Sequence, residues 1–384
     1  MMNTDEVESM HHGRLVAVYR GRMHWSQERL AYELGVDLRT VQRMEQQPMI
    51  KNVKRRELLV KLLGIPAVLL GLEGEQHLRT TELLFNEDPM GYLENTMILR
   101  WEMHKIGGTR SAARGLDIWM SEVTNFVENA QGTAWQKRAL AVLSMSYLLQ
   151  GSVARSSRLD YLQAHKAFQK AYQIAEEIDD PELMASALFR EGVVFINQDQ
   201  PREAITYLKG ALDKVYGQGF PYLRGHILKL LSEAFAKAQQ PQECWRSVGL
   251  AECALDQRTF IRERSLFLQR EFSSASVTAQ KGVNAAFLHD YDRAIKLIDK
   301  GLTTYNPTLI PARARLTIQK AEAYYGLGEI DFCVTHAEEA LKLARSVGSN
   351  KTISRASTLH EALAHSKWSR EPGVARLGAL LVIE

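Results

Sequence analysis

Cysteine is scarce: three residues in 384, Cys244, Cys253 and Cys333, with no CxxC pair among them. That excludes a disulfide framework or a cysteine zinc site and fits a reducing cytoplasm. No run of eighteen apolar residues exists, so no membrane span is expected. The opening MMNTDEVESM is acidic and lacks an apolar stretch, which excludes a secretory signal. There is no GxxxxGK(S/T) loop, no GxSxG elbow and no HExxH pair. Gly326 and Gly328 read as a turn between helices rather than a phosphate cradle. The histidines are dispersed, and the adjacent His11 and His12 read as a loose N-terminal tail, not a metal pair. No enzyme, metal or cofactor is expected.

Net charge is also small, at +3, but it is unevenly placed. Between Arg14 and Lys61 there are 11 Lys/Arg against 5 Asp/Glu, whereas the rest of the chain has 37 against 40. A short basic module followed by a long, nearly neutral one is the distribution that phosphate binding by the first module requires. The chain is too long for one small core, so at least two modules are expected.

Within the basic module, residues 26–45 (SQERLAYELGVDLRTVQRME) spell a helix, a sharp turn and a second helix. Ser26 is a good N-cap, and Leu30, Ala31 and Leu34 make an apolar stripe at helical spacing. Gly35 supplies the left-handed residue that ends a helix, and Asp37 caps the next one. That second helix turns Val41 and Met44 inward and Leu38, Arg39, Gln42 and Arg43 outward. A short capped helix presenting arginine and glutamine suits the major groove of DNA.

These residues resemble the Cro/repressor-type, or XRE, helix-turn-helix. The likeness covers about residues 13–72 and extends to Arg20 and Glu45, which it implies form a structural pair. Leu15 and Val18 pack the first helix, residues 53–63 give a fourth, and LLGIPAVLLGL resembles the closing fifth. The resemblance implies DNA contacts by Gln27, Leu38, Arg39, Gln42 and Arg43, with Lys51, Lys54 and Arg55 on phosphates. The turn after Glu45 departs from the family, being Gln46-Gln47-Pro48. An amphipathic helix pair with a solvated basic face is the plainer reading of the same residues.

Residues 73–91 read as a connector, with one helix across Leu78–Phe85. From 92 to 384 the segments are helical and repeat. A small residue, a larger apolar one four on and a small one three further recur at Ala164/Phe168/Ala171, Ala204/Leu208/Ala211, Cys244/Val248/Ala251, Ala294/Ile298/Gly301 and Cys333/Ala337/Ala340. The spacings of 40, 40, 50 and 39 residues mean stacked helical hairpins. Twelve residues before four of these signatures stand Gly192, Ser232, Gly282 and Ala321, with aromatics at Phe195, Phe235 and Tyr324. This resembles the tetratricopeptide repeat. Six or seven hairpins are expected, with VARSSRLD (153–160) an extra loop, 92–130 a degenerate early hairpin and 350–384 a terminal one. The fold class is thus all-α: a five-helix helix-turn-helix domain, then a tetratricopeptide-like α-solenoid.

Such an array has a concave groove lined by first helices. The resemblance maps Ser186, Phe189, Val193, Ile196 and Asn197 onto it, then His226, Lys229, Glu233, Ala236 and Lys237, then Arg315, Ile318, Glu322 and Tyr325. Asn197, Lys229, Glu233, Arg315 and Glu322 are the candidate contacts to an extended peptide. A solvated face with incidental charges is the alternative. The two modules together resemble the RRNPP peptide-pheromone receptors. That likeness implies a cytoplasmic homodimer on an inverted-repeat, double-stranded operator, switched by a signalling oligopeptide. Dimer contacts are expected at the apolar end, 377–383. The switch is expected to act through superhelical pitch, each hairpin touching only its neighbours. Two rivals stay open: a DNA-binding regulator whose array binds a partner protein, and a signalling scaffold that does not bind DNA.

Overall fold

The computed structural model describes residues 12–23, 25–65, 70, 72, 88–106, 112–256 and 272–382. Every regular element among them is a helix, and none is long and apolar enough to cross a membrane. The chain divides into two compact units, residues 1–92 and 93–384. The expected Leu78–Phe85 helix lies outside the described residues, as does most of the expected fifth helix.

The first unit contains α1 (His12–Arg22), α2 (Gln27–Leu34), α3 (Leu38–Gln46) and α4 (Val53–Leu63). Its core is Leu15, Val16, Leu30, Ala31, Val41, Met44, Ile50, Leu59, Leu63, Ile65 and Leu70. Each fully buried aliphatic side chain contributes roughly 1.5–3 kcal/mol relative to exposure, so this cluster holds the four helices together. His12 is tied down at the start of α1, contrary to the expected loose tail, while His11 lies outside the described residues. The His12 and Gly13 amides donate to the carbonyls of Pro48 and Gln47, and His12 Nδ1 accepts from the Ile50 amide at 3.1 Å. The Gln46-Gln47-Pro48 turn therefore satisfies the orphan N–H groups that begin α1. Gly13 is required by that closeness, since a Cβ there would lie 2.3 Å from the Met44 carbonyl oxygen.

The second unit contains α5 (Pro89–Ile106) and α6 (Leu116–Asn129), followed by six hairpins among the described residues: α7 (Gln136–Val153) and α8 (Tyr161–Glu177), α9 (Pro181–Asn197) and α10 (Pro201–Lys214), α11 (Pro221–Lys237) and α12 (Pro241–Asp256), α13 (Ser274–Phe287) and α14 (Tyr291–Thr304), α15 (Ile310–Leu327) and α16 (Ile330–Ser346), and α17 (Asn350–Ala364) and α18 (Pro372–Val382). The five repeated signatures fall on α8, α10, α12, α14 and α16, and all fifteen residues are buried. Where the small position on a first helix is glycine, it admits the middle residue of its partner's signature. A Cβ on Gly192 would meet Leu208 at 2.6 Å, and one on Gly282 would meet Ile298 at 2.8 Å. Cys244 and Cys333 fill the small position taken elsewhere by alanine, and burial pushes both thiols up to about 12.

Two expectations need correction. The 153–160 insertion is not a loop: Ala154–Arg158 continue α7 as a π-helical turn, which Leu159 ends at φ 52°. Nor does each hairpin touch only its neighbours. First helices α7, α9, α11, α13, α15 and α17 pack successively, and α17 also packs on the π-turn after α7. The inner layer curls until its last helix meets the turn that follows α7.

Candidate nucleic-acid interface and inner face of the array

Helix α3 is amphipathic in a way its sequence dictates. Val41 and Met44 are buried, Arg39, Gln42 and Arg43 are exposed, and Leu38 is half-buried at the start. Its first turn is fixed by Asp37, whose carboxylate accepts from the Thr40 amide at 2.7 Å and from its hydroxyl at 3.1 Å. Those bonds hold the Asp37 carboxyl below its usual pKa range. Helix α2 is capped by Ser26 and ended by Gly35 at φ 64°, a conformation other residues adopt only at a cost. The Arg29 guanidinium lies over the Trp25 ring at 4.8 Å.

The end of α3 is anchored from behind. Arg20 Nε reaches Glu45 Oε1 at 2.6 Å and its Nη2 reaches Oε2 at 3.2 Å, while Nη1 donates to the Trp25 carbonyl at 2.8 Å. Gln27 Nε2 donates to Glu45 Oε2 at 2.6 Å, so its amide nitrogen is turned to Glu45. Lys51 and Lys54 are exposed and Arg55 is half-buried, near the start of α4. Arg56, which the sequence did not single out, is buried and donates to the Leu70 carbonyl at 2.7 Å. Its neighbours Lys54 and Arg55 have the same chemistry, so only the helical phase separates the buried arginine from the exposed cations.

On the array, the five candidate peptide contacts are not a row of separate solvated groups. Asn197 Oδ1 accepts from Lys351 Nζ, which lies 154 residues later. Glu233 is buried, accepts from Gln280 at 2.9 Å and faces Arg315 at 3.4 Å. Glu322 is gripped by both arms of Arg355, the Nε bond being 3.0 Å. Lys229 is buried one turn before Glu233. Burial raises the Glu233 carboxyl's pKa, but Arg315, Lys351 and the Gln280 bond outweigh it and leave the group ionised more readily than usual.

Other residues expected to face a groove are packed instead. Ser186, Phe189, Ile196, His226, Ala236 and Ile318 are buried. The cause is the close succession of first helices, which covers α11 on nearly all sides. The His226 ring stacks on Phe272 at 6.2 Å and meets Phe189 at a tilt of 55°, with centroids 4.8 Å apart. Val193, Lys237 and Tyr325 stay partly exposed. Sequence reasoning missed Lys351, Arg355 and Arg155, because α17 belongs to the last hairpin and Arg155 to an apparent loop. Neither lies in a repeat whose groove positions could be assigned.

Among the described residues no group of His, Cys, Asp and Glu could hold a metal ion. No family model matches the chain. No curated protein matches it either. Among solved structures it is similar to BtubC (BKLC) from P. vanneervenii, at 16% identity and a TM-score of 0.41, over 60% of this chain and 91% of that one.

Proposed function

We propose that this protein is a sequence-specific DNA-binding transcriptional regulator of the Cro/repressor helix-turn-helix type. One observation carries the reading: α3 presents Arg39, Gln42 and Arg43 on one exposed face while Val41 and Met44 fix its other face in the core. Arginine reads guanine bidentately and glutamine reads adenine, and the N-terminal part of such a helix enters the major groove. Leu38 supplies an apolar contact for a thymine methyl. Lys51, Lys54 and Arg55 hold phosphates, and Gln27 contacts the backbone through the part of its amide not engaged by Glu45. One such helix reads only a few base pairs, so the protein works as a homodimer on an inverted repeat. The array binds a signalling oligopeptide along its inner face, at Asn197, Lys229, Glu233, Arg315 and Glu322, in the manner of the RRNPP receptors.

The test is selection of preferred sites from a randomised duplex pool, followed by gel-shift titration. Arg39→Ala and Arg43→Ala should each weaken the selected site by about 1–3 kcal/mol and relax its sequence preference. Unchanged affinity in both variants would remove α3 as the reading helix. A second reading is favoured by the mutual pairing of Asn197, Glu233 and Glu322 with Lys351, Arg315 and Arg355. Those polar groups are then structural, and the array recognises a partner protein elsewhere on its surface. Loss of dimerisation on substituting them would select that reading.

A further inference from the structure

Helix α17 is held on one side by an apolar core and reaches the inner layer through polar groups. Its Ala356, Leu359 and Leu363 are buried with residues of α15, α16 and α18. In its first turn Lys351 donates to Asn197 Oδ1 at the end of α9. One turn further on, Arg355 donates from Nε to Glu322 Oε1 at 3.0 Å and from Nη2 to Oε2, so both oxygens of that carboxylate are engaged. These groups are not sealed from water. Asn197 and Lys351 are partly exposed, and the Arg355 and Glu322 side chains are 24% and 34% exposed. An ion pair that open to solvent contributes little to stability, so a second guanidinium can replace the first at small cost.

Asn197 and Glu322 are two of the five residues assigned to the peptide, and one helix occupies both. The donors that α17 brings are those a peptide can bring. A lysine nitrogen stands where a backbone N–H would donate to the asparagine carbonyl. A guanidinium grips the carboxylate in the two-pronged geometry that arginine makes and lysine does not. We infer that α17 is an internal competitor for the inner face, its Lys351 and Arg355 holding the places of an N–H donor and an arginine side chain of the incoming peptide. The inference rests on the reading that a peptide lies along that face. The ligand is then an arginine-bearing oligopeptide, and its binding releases α17 from Asn197 and Glu322. Parting α17 from α9 leaves its core with α15, α16 and α18 intact. The peptide's apparent affinity is lowered by the fraction of chains in which α17 is seated.

The experiment uses the full chain and two pools of blocked pentapeptides whose outer four positions are uncharged and varied. One pool has arginine at the centre, the other citrulline, its neutral isostere. The arginine pool should raise the melting temperature by several degrees more than the citrulline pool. Arg355→Met vacates Glu322, and the concentration of arginine pool giving half the full shift should fall roughly tenfold. Glu322→Gln should erase the preference for arginine while keeping the citrulline response. If Arg355→Met does not fold, Arg355→Gln removes the two-pronged grip and serves in its place. Equal shifts from the two pools in the parent and in the Arg355 variant would overturn the arginine seat and leave the peptide groove standing. A preference for arginine that is no stronger in the Arg355 variant would overturn α17 as the competitor. No shift from either pool, in the parent or the variants, would overturn both readings.

Discussion

Arg20 reaches across 25 residues of chain to hold both oxygens of Glu45, tying the last turn of α1 to the end of α3. Their side chains are only 17% and 9% exposed, so neither charge is well hydrated alone. Glu45→Ala leaves the guanidinium facing Trp25 and an amide, and it should destabilise the first unit by about 3 kcal/mol. Hydrogen exchange of the Leu30 and Val41 amides in the full chain reads this directly. Unaltered protection in both Glu45→Ala and Arg20→Ala would show that the pair contributes nothing.

The exposed lysines should act on DNA differently from the arginines of α3. Lys54 meets only solvent, and Lys54→Gln should weaken binding evenly across sequences and lower the salt slope by about 1. Titrations at several salt concentrations on selected and scrambled duplexes separate this from base reading. A loss confined to the selected duplex would place Lys54 at a base edge.

Equivalent corners of three hairpins carry non-glycine residues with left-handed backbones: Asp199 at φ 57°, Gln239 at 57° and His289 at 63°. The fourth equivalent corner is Gly328, at φ 78°. Gln239 has neither the short polar side chain of aspartate nor the freedom of glycine. Gln239→Gly should therefore stabilise the array by about 0.5–1 kcal/mol, the left-handed penalty less the added chain entropy. An unchanged or lower unfolding midpoint would mean that the bond from Gln239 Nε2 to the Phe287 carbonyl, 2.9 Å, outweighs the relief.

Acid should destabilise the array through His104. Burial, then Arg155, Arg190 and Lys105, push its pKa down to about 3, and its Nδ1 has no hydrogen-bond partner. The folded chain thus keeps this ring neutral at a pH where the unfolded chain protonates it. Stability from this group is full above pH 6.5 and is lost as pH falls toward 3. Between pH 6.5 and 5.5 the loss should be about 1 kcal/mol. Glu191 works oppositely, since burial raises its carboxyl's pKa despite His165. The difference between the parent and His104→Phe isolates the histidine, and identical pH profiles would discount it.

Helical content was legible because the repeat signatures combine a 3.6-residue period with a near-40-residue one, and all fifteen of their residues are buried. The caps were equally readable: Ser26, Gly35 and Asp37 act locally, so nearest neighbours in sequence suffice to place them. The inner-face network was not readable. Asn197 and Lys351 are 154 residues apart, and Glu233 and Arg315 are 82. Such pairs depend on the curl accumulated over several hairpins, a quantity no local pattern contains. The π-turn was missed for a related reason: Ala154–Arg158 has loop-like composition, and only the packing of α8 and α17 against it makes it continue a helix.

The contact between Lys351 and Asn197 also orders events in time. Asn197 leaves the ribosome 154 residues before its partner exists, an interval of roughly 8–30 s at about 5–20 residues per second. During it α9 and α11 can stack with their neighbours, while the polar groups that later face α17 stay in water. Ring closure is the last step of assembly and the first that a truncated nascent chain lacks. A chain halted before Asn350 keeps its earlier hairpins but presents Asn197 and Glu233 without their lysine.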